Sequence, residues 1–126
     1  MILADTNIFL EILLQQKKSA ACKEFLNKNA AALFISDFSL HSIGIILLKS
    51  KAIDVFRKFL DDTLPTTRIL SLPTSSYVSL LDAAQKFGLD FDDAYQHAIA
   101  KNFNLKIATL DQDFRPVVDD IEVIFL

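Results

Sequence analysis

The segment Ile2-Leu3-Ala4-Asp5-Thr6-Asn7 decides how this chain folds, because it joins a buried strand to a helix through an acidic residue. The three consecutive apolar residues at 2–4 predict a short strand that is covered on both faces, as in a parallel sheet. Asp5 then ends the strand and is a good N-cap for a helix over residues 8–15. The segment therefore predicts an α/β fold with a carboxylate at the end of its first strand.

Short apolar strands alternate with helices along the rest of the chain. The pattern predicts strands over 33–35, 68–72, 106–108 and 122–125, and helices over 20–27, 38–49, 53–60, 74–87 and 91–103. This alternation is typical of a three-layer α/β sandwich around a mostly parallel sheet, and the length fits a single domain over residues 1–126. Ligands of such sheets bind beyond the carboxyl ends of the strands.

The composition narrows the classes of function. Of the 126 residues, 52% are hydrophobic and 23% are charged, which is typical of a globular chain rather than a disordered one. The net charge of −3 gives no general attraction for nucleic acid. No apolar run reaches the roughly 18 residues of a membrane span, no leader peptide is visible, and Cys22 has no partner for an internal disulfide. We therefore expect a cytoplasmic protein with no membrane partner.

The acidic residues are the most informative part of the composition. Thirteen of the sixteen are Asp, and seven of these lie between residues 90 and 120. Asp is a poorer helix former than Glu, and its short carboxylate suits helix caps, turns and hard-cation sites. Asp5 follows the first strand, Asp93 begins the 91–103 helix and Asp111 follows the 106–108 strand. We expect these three carboxylates to meet at one sheet edge and to repel one another unless a cation separates them.

This placement favours metal-dependent phosphodiester chemistry. A Mg²⁺ or Mn²⁺ ion held by carboxylates can bind a phosphodiester, polarise it and deprotonate a water. Each acid also has a purely structural interpretation: Asp5 as a helix cap, Asp90 and Asp93 as a capping box, and Asp111 and Asp113 as turn residues. The joint position of the three segments favours the metal site over the three separate interpretations.

The opening segment resembles the first motif of the PIN-domain nucleases, particularly the VapC-type toxins of toxin–antitoxin pairs. The resemblance implies that Asp5 is a metal ligand and that Thr6 and Asn7 support it. Because the order and the spacing of the later motifs also agree, the resemblance covers essentially the whole chain.

Two later segments resemble the third and the closing motifs of the same family. In Asp92-Asp93-Ala94, the resemblance makes Asp93 a ligand and Asp92 a possible one. In the segment 109–114 it makes Asp111 a ligand, Asp113 a possible ligand and Thr109 a supporting residue.

The second motif departs from the family pattern. PIN domains usually have a Glu early in the helix after the second strand, and Ser42 occupies that position here. Asp37, the nearest acid, is a possible replacement ligand. A site with one carboxylate fewer is expected to bind its metal more weakly.

The resemblance implies an endoribonuclease that uses Mg²⁺ or Mn²⁺, acts on RNA and has a cognate antitoxin protein. Candidate phosphate contacts are Thr6, Asn7, Lys17, Lys18 and Lys101. Two alternatives stay open. One is a PIN-like module that binds RNA or a protein partner with weakened or no cleavage. The other is an aspartate-phosphorylated regulator or phosphatase, although no second Asp lies two residues after Asp5 to act as its acid.

The predicted helix over residues 38–49 has apolar side chains on nearly all of its faces when it is drawn as a helical wheel. Its apolar members are Phe38, Leu40, Ile43, Ile45, Ile46, Leu47 and Leu48. A helix that is apolar all round must be buried on more than one face, and the sheet of a small domain covers only one. We therefore expect a homodimer, with burial against neighbouring helices as the alternative.

Overall fold

The computed structural model describes all 126 residues and contains one five-stranded sheet. Its strands are β1 (Ile2–Ala4), β2 (Leu33–Ser36), β3 (Arg68–Leu70), β4 (Lys106–Thr109) and β5 (Val123–Phe125). All neighbouring strands are parallel, in the order β3-β2-β1-β4-β5. The short first strand lies at the centre, where Leu3 pairs with Phe34 on one side and Ile107 on the other. The predicted parallel sheet is confirmed.

Six α-helices connect the strands. They are α1 (Thr6–Leu13), α2 (Ser19–Lys28), α3 (Asp37–Lys49), α4 (Ile53–Thr63), α5 (Tyr77–Phe87) and α6 (Phe91–Phe103). Short 3-10 helices occupy Ala30–Ala32, Thr74–Ser76 and Gln112–Val117. None of the helices is long and apolar enough to cross a membrane.

The helices cover both faces of the sheet, so the predicted three-layer α/β architecture is confirmed. On one face α1, α2, α3 and α4 pack around a core that includes Ile8, Ile43 and Phe59. On the other face α5, α6 and the last 3-10 helix pack around a second core that includes Ile99 and Phe114. Burial on both faces explains why the strands are apolar throughout rather than alternating.

The helix ends differ from the predicted ones where side chains cap them. Helix α1 begins at Thr6, because the Asp5 carboxylate accepts a hydrogen bond from the Thr6 backbone N–H at 2.8 Å. The helix predicted over 74–87 begins instead as a 3-10 turn after Pro73. Helix α6 matches its predicted bounds, and Gly88 takes the left-handed conformation before it (φ 66°).

Helix α6 is buried on more sides than its apolar periodicity predicts. Apolar periodicity predicts one inner face made of five residues: Phe91, Ala94, Tyr95, Ala98 and Ile99. The Phe91 side chain is nevertheless 52% exposed. Asp93, which the same periodicity directs away from that face, is buried, and so are the polar side chains of Gln96 and His97. The helix is therefore a central element with polar groups in its interior contacts, and these groups define the site described next.

Candidate active site

Three carboxylates from separate segments line one cavity at the carboxyl edge of the sheet. Asp5 follows β1, Asp93 lies in the first turn of α6, and Asp111 follows β4. The cavity has a volume of about 280 Å³. Its other lining residues are Thr6, Asn7, Leu10, Phe38, Ser42, Ile46, Asp92 and Gln96. The strand order places β1 and β4 side by side, which brings Asp5 and Asp111 together.

Thr109, at the end of β4, links two of these acids. Its hydroxyl donates a hydrogen bond to Asp5 Oδ2 at 2.7 Å and accepts one from the backbone N–H of Asp111 at 2.9 Å. Asn7 fixes the same turn, because its Oδ1 accepts from the Leu110 N–H at 3.2 Å. Thr109 and Asn7, two of the residues that the sequence suggested as supports, thus hold the acidic segments in register.

Asp5 is 7% exposed, and hydrogen bonds engage both of its carboxylate oxygens. Oδ1 accepts from the Thr6 N–H and from Gln96 Nε2 at 3.0 Å. Burial raises the pKa of Asp5 above its usual range, the hydrogen bonds from Gln96, Thr109 and Thr6 oppose that rise, and the charge of Asp111 adds to it. The donors therefore stabilise the charged form of a carboxylate that burial disfavours.

Asp93 has the most perturbed environment of the cavity. Burial first, and then the negative charges of Asp92, Asp111, Asp5 and Asp113, raise the pKa of Asp93 to about 7. Its carboxylate lies within 4.8 Å of those of Asp111 and Asp113, and within the same distance of those of Asp90 and Asp92. Asp5 belongs to neither of these two groups, although it lines the same cavity.

The donor chemistry of the cavity fits a hard divalent cation. No lysine, arginine or histidine is among its lining residues, so no positive side chain compensates the carboxylates. The polar lining atoms are carboxylate, hydroxyl and amide groups, whose oxygens Mg²⁺ and Mn²⁺ prefer. Lys17, Lys18 and Lys101, which the sequence suggested as phosphate contacts, lie outside the lining.

Helix α3 presents Ser42 to the cavity and directs Asp37 elsewhere. Ser42 is a lining residue, whereas Asp37 is not. The Asp37 carboxylate accepts hydrogen bonds from the Tyr95 hydroxyl at 2.8 Å and from the Ser71 hydroxyl at 3.1 Å. The structure therefore gives Asp37 a bonding role between α3, α6 and the segment after β3, and it does not bring Asp37 to the other acids.

The interpretation of the acids as helix caps holds for Asp5 and Asp111 and fails for Asp90. Asp5 caps α1, and Asp111 caps the last 3-10 helix by accepting from the Asp113 N–H at 2.8 Å. Both residues also line the cavity, so the cap and the site coexist. Asp90 makes no side-chain cap at the start of α6, so the predicted capping box is wrong.

Gln96 is a site residue that the sequence reasoning missed. It lies three residues after Asp93 on α6, is 1% exposed, and donates hydrogen bonds to Asp5 and to Ser39. The available signal was its spacing, because positions i and i+3 of a helix share a face. Apolar periodicity gives a buried amide no weight, and this is why Gln96 was overlooked.

Comparisons with known proteins match the chain to one family and one fold. The family model of the PIN domain matches residues 2–119. No curated protein matches the chain by sequence. Among solved structures, FitAcB of Neisseria gonorrhoeae matches with a TM-score of 0.76 at 26% identity, over 98% of this chain and 96% of that one.

Two further structures share the fold at lower identity. A toxin–antitoxin complex from Klebsiella pneumoniae matches with a TM-score of 0.78 at 19% identity, over 98% of this chain and 96% of that one. The sarcin–ricin-loop-cleaving toxin VapC20 of Mycobacterium tuberculosis matches with a TM-score of 0.79 at 13% identity, over 91% and 93%. The likeness therefore extends over nearly the whole length of each protein.

Proposed function

The chain belongs to the PIN-domain family, and we propose that it is a divalent-metal-dependent endoribonuclease acting as the toxin of a toxin–antitoxin pair. One observation supports this most strongly: Asp5, Asp93 and Asp111 line one cavity with no positive side chain to balance them. The similarity to toxins, one of which cleaves the sarcin–ricin loop, supports RNA as the substrate class.

In this proposal the three Asp side chains hold a Mg²⁺ or Mn²⁺ ion, with Asp92 and Asp113 at the rim of the site. When bound, such an ion neutralises charge on a phosphodiester and lowers the pKa of a water. Thr109 keeps Asp5 and Asp111 in register through its two hydrogen bonds. Leu10, Phe38 and Ile46 form an apolar wall, which lowers the local dielectric and strengthens the charge interactions.

Expression in a bacterial host tests the activity even before the target RNA has been identified. We expect the wild type to arrest growth and to produce discrete new RNA ends, and we expect Asp111→Asn to do neither. Asp119→Asn is the matched control, because Asp119 is exposed and lies outside the cavity. Purified wild type should cleave the mapped RNA with Mn²⁺ and stop when EDTA is added.

Intact RNA under all these conditions would contradict the nuclease. If the purified protein nevertheless bound that RNA, the result would favour a PIN-like module with no cleavage. Ser42 in the position of the usual Glu is the observation that makes this second outcome worth testing.

We also propose that the antitoxin binds a groove formed by α1, α2 and α4. The groove has a volume of about 470 Å³, and half of its sixteen lining residues are hydrophobic. Lys23 lies among them, so an amphipathic antitoxin segment with an acidic residue fits its chemistry. One of the similar structures is a toxin–antitoxin complex, which supports a partner of this kind.

Co-expression with the product of any small open reading frame found adjacent to the gene tests this partner. We expect co-purification with the wild type and its loss in Val55→Asp, because Val55 is 38% exposed and lines the groove. Val118→Asp is the control, since Val118 is 43% exposed and lies outside the groove. Equal co-purification of both variants would place the partner elsewhere.

A homodimer through α3 is the remaining part of the proposal. In this helix Ile43 and Leu47 are buried, but Ile45 and Leu48 are 57% and 53% exposed. A second copy covering this face would bury the apolar side chains that the helices of one chain leave open. Light scattering at micromolar concentration should give a dimer mass for the wild type and a monomer mass for Ile45→Lys. A monomeric wild type would contradict the dimer.

A further inference from the structure

The amide of Gln96 joins three elements that meet beneath the cavity. Its Nε2 donates to Asp5 Oδ1 at 3.0 Å, at the end of β1, and to Ser39 Oγ at 2.7 Å, on α3. Ser39 is fully buried and also bonds the hydroxyls of Thr6, at 2.8 Å, and Ser36, at 3.1 Å. The position of the Asp5 carboxylate is thus tied to α6 and α3 through one side chain.

The orientation of the amide follows from the chemistry of its partners. In the form that binds a cation Asp5 is ionised, and an ionised carboxylate accepts hydrogen bonds and cannot donate them, so the NH₂ end of Gln96 must face Asp5. The opposite end, Oε1, is buried and has no hydrogen-bond partner. A buried carbonyl without a donor disfavours the folded state, and an apolar side chain of similar size would avoid that cost. A role in stability alone therefore does not explain why the helix has Gln at this position.

We propose that Gln96 is a positioning residue of the active site, holding the Asp5 carboxylate in the orientation that binds the divalent cation. The inference rests on the proposed metal site. Helix α3 supplies no carboxylate to the cavity, and through Ser39 it contributes by anchoring Gln96, which holds Asp5. Gln96 acts through Asp5, so its effect on metal binding must disappear when Asp5 can no longer act as a charged ligand.

A double-mutant cycle with Mn²⁺ tests this dependence. Calorimetric titration of Mn²⁺ into the metal-free protein gives the affinity of wild type, Gln96→Met, Asp5→Asn and the double variant. We expect Gln96→Met to weaken Mn²⁺ binding by about ten-fold or more, as the loss of an orienting partner commonly does. In the Asp5→Asn background we expect Gln96→Met to change the affinity less than about two-fold, because additivity fails for coupled residues.

A matched control removes the general effect of altering α6. Ile99 is fully buried on the same helix and contacts none of the acids by hydrogen bonds, so Ile99→Met should leave the Mn²⁺ affinity unchanged. Thermal melting of each metal-free variant shows whether it is folded. If Gln96→Met is not folded, Gln96→Asn, whose shorter amide cannot reach Asp5, replaces it with the same expected loss.

The outcomes separate this inference from the proposed function. Equal losses in both backgrounds would make Gln96 a structural residue only, and no loss in either would remove it from the site; both overturn the inference while the metal site stands. A wild type that does not bind Mn²⁺, or that binds it equally well as Asp5→Asn, would overturn the metal site and the role of Gln96 together.

Discussion

Each half of helix α6 has a polar cluster around a buried residue, Asp93 or His97, and the two clusters differ in how charge is balanced. The first half places Asp93 among Asp5, Asp92, Asp111 and Asp113, and their charges together with burial raise its pKa to about 7. No cation from the chain lines that cavity. The first cluster is therefore an arrangement of like charges that the protein alone does not neutralise.

The second half of α6 contains the opposite arrangement. His97, 3% exposed, lies 2.7 Å from Asp120 through its Nε2, and Lys101 donates to the other oxygen of Asp120 at 3.1 Å. Burial acts to raise the pKa of Asp120, but the hydrogen bonds from His97 and Lys101 outweigh it and hold the pKa below its usual range. The ring of His97 also packs edge-to-face against Phe87.

The comparison separates a structural polar cluster from a functional one. The charge of Asp120 is balanced by Lys101 within the His97–Asp120–Lys101 cluster, so the cluster needs no ligand, and we expect it to stabilise the fold. Under the proposed function, the acidic cavity binds a divalent cation from solution to reach the same balance. Variants in the two clusters should therefore have opposite effects on stability and on activity.

The largest difference is expected in catalysis. Asp93→Asn should reduce RNA cleavage to the background of the assay, because it removes a central carboxylate of the metal site. Asp120→Asn, the same substitution in the second cluster, should leave the cleavage rate within about two-fold of wild type. Similar losses in the two variants, measured on the same RNA, would break the distinction between the clusters.

The free energy of unfolding should fall when the second cluster is changed, whereas catalysis depends on the acidic cavity. Asp120→Ala removes the partner of a buried histidine and should lower the free energy of unfolding by about 1–3 kcal/mol. Its Mn²⁺ affinity should not change. Urea unfolding of the metal-free protein measures the effect, with Asp119→Ala as the exposed neighbouring control. An Asp120→Ala variant as stable as that control would mean that the second cluster does not stabilise the fold.

The stability of the metal-free protein should depend on pH in opposite directions for Asp93 and Asp120. Folding raises the pKa of Asp93, so its contribution to stability is fully present below about pH 4 and is lost as the pH rises through about 7. Folding lowers the pKa of Asp120, so its contribution is present at neutral pH and is lost on acidification. Relative to wild type, Asp93→Asn should gain up to about 4 kcal/mol between these limits, because each unit of the pKa rise from 3.8 to about 7 corresponds to about 1.4 kcal/mol. If the difference in unfolding free energy between Asp93→Asn and wild type did not change with pH, the proposed repulsion between Asp93 and the other acids would be contradicted.

The smallest expected effects concern α3. Ser42→Glu should tighten Mn²⁺ binding several-fold, on the order of one added carboxylate ligand, because Ser42 lines the cavity. Asp37→Asn should leave Mn²⁺ affinity unchanged, since Tyr95 and Ser71 hold Asp37 outside it. Calorimetry on both variants compares them directly. A loss of affinity in Asp37→Asn alone would make Asp37 the replacement ligand.

Much of the fold followed from local patterns. The apolar run before Asp5 predicted β1. Gly88 lies between the predicted helices over 74–87 and 91–103, where a glycine that adopts the left-handed conformation ends α5. The resemblance to PIN domains is confirmed by the family match. The acidic segments were found because each adjoins a strand end or a helix start, and the parallel sheet determines where such segments meet.

The features that were missed depend on contacts between distant residues. From the sequence alone, the pair Asp119-Asp120 is typical of a solvated turn before the last strand, but Asp120 bonds His97 from 23 residues away. Gln96 bonds Asp5 across 91 residues. Phe91 was placed in the core by periodicity, yet it packs beside Tyr77 at the surface. A helical wheel assigns the faces of a helix by hydrophobicity alone. It therefore cannot detect a buried amide such as Gln96, or an apolar side chain that lies beyond the edge of the core.

Thermal unfolding of the metal-free protein during titration with Mn²⁺ tests the central claim most directly, namely that a divalent cation balances the acidic cavity. Binding to the folded state alone must raise the melting temperature as the ion concentration increases. The account predicts a rise for the wild type and little or none for Asp93→Asn, whose melting temperature without metal should already exceed that of the wild type. Equal rises in the two proteins, or none in the wild type, would contradict it.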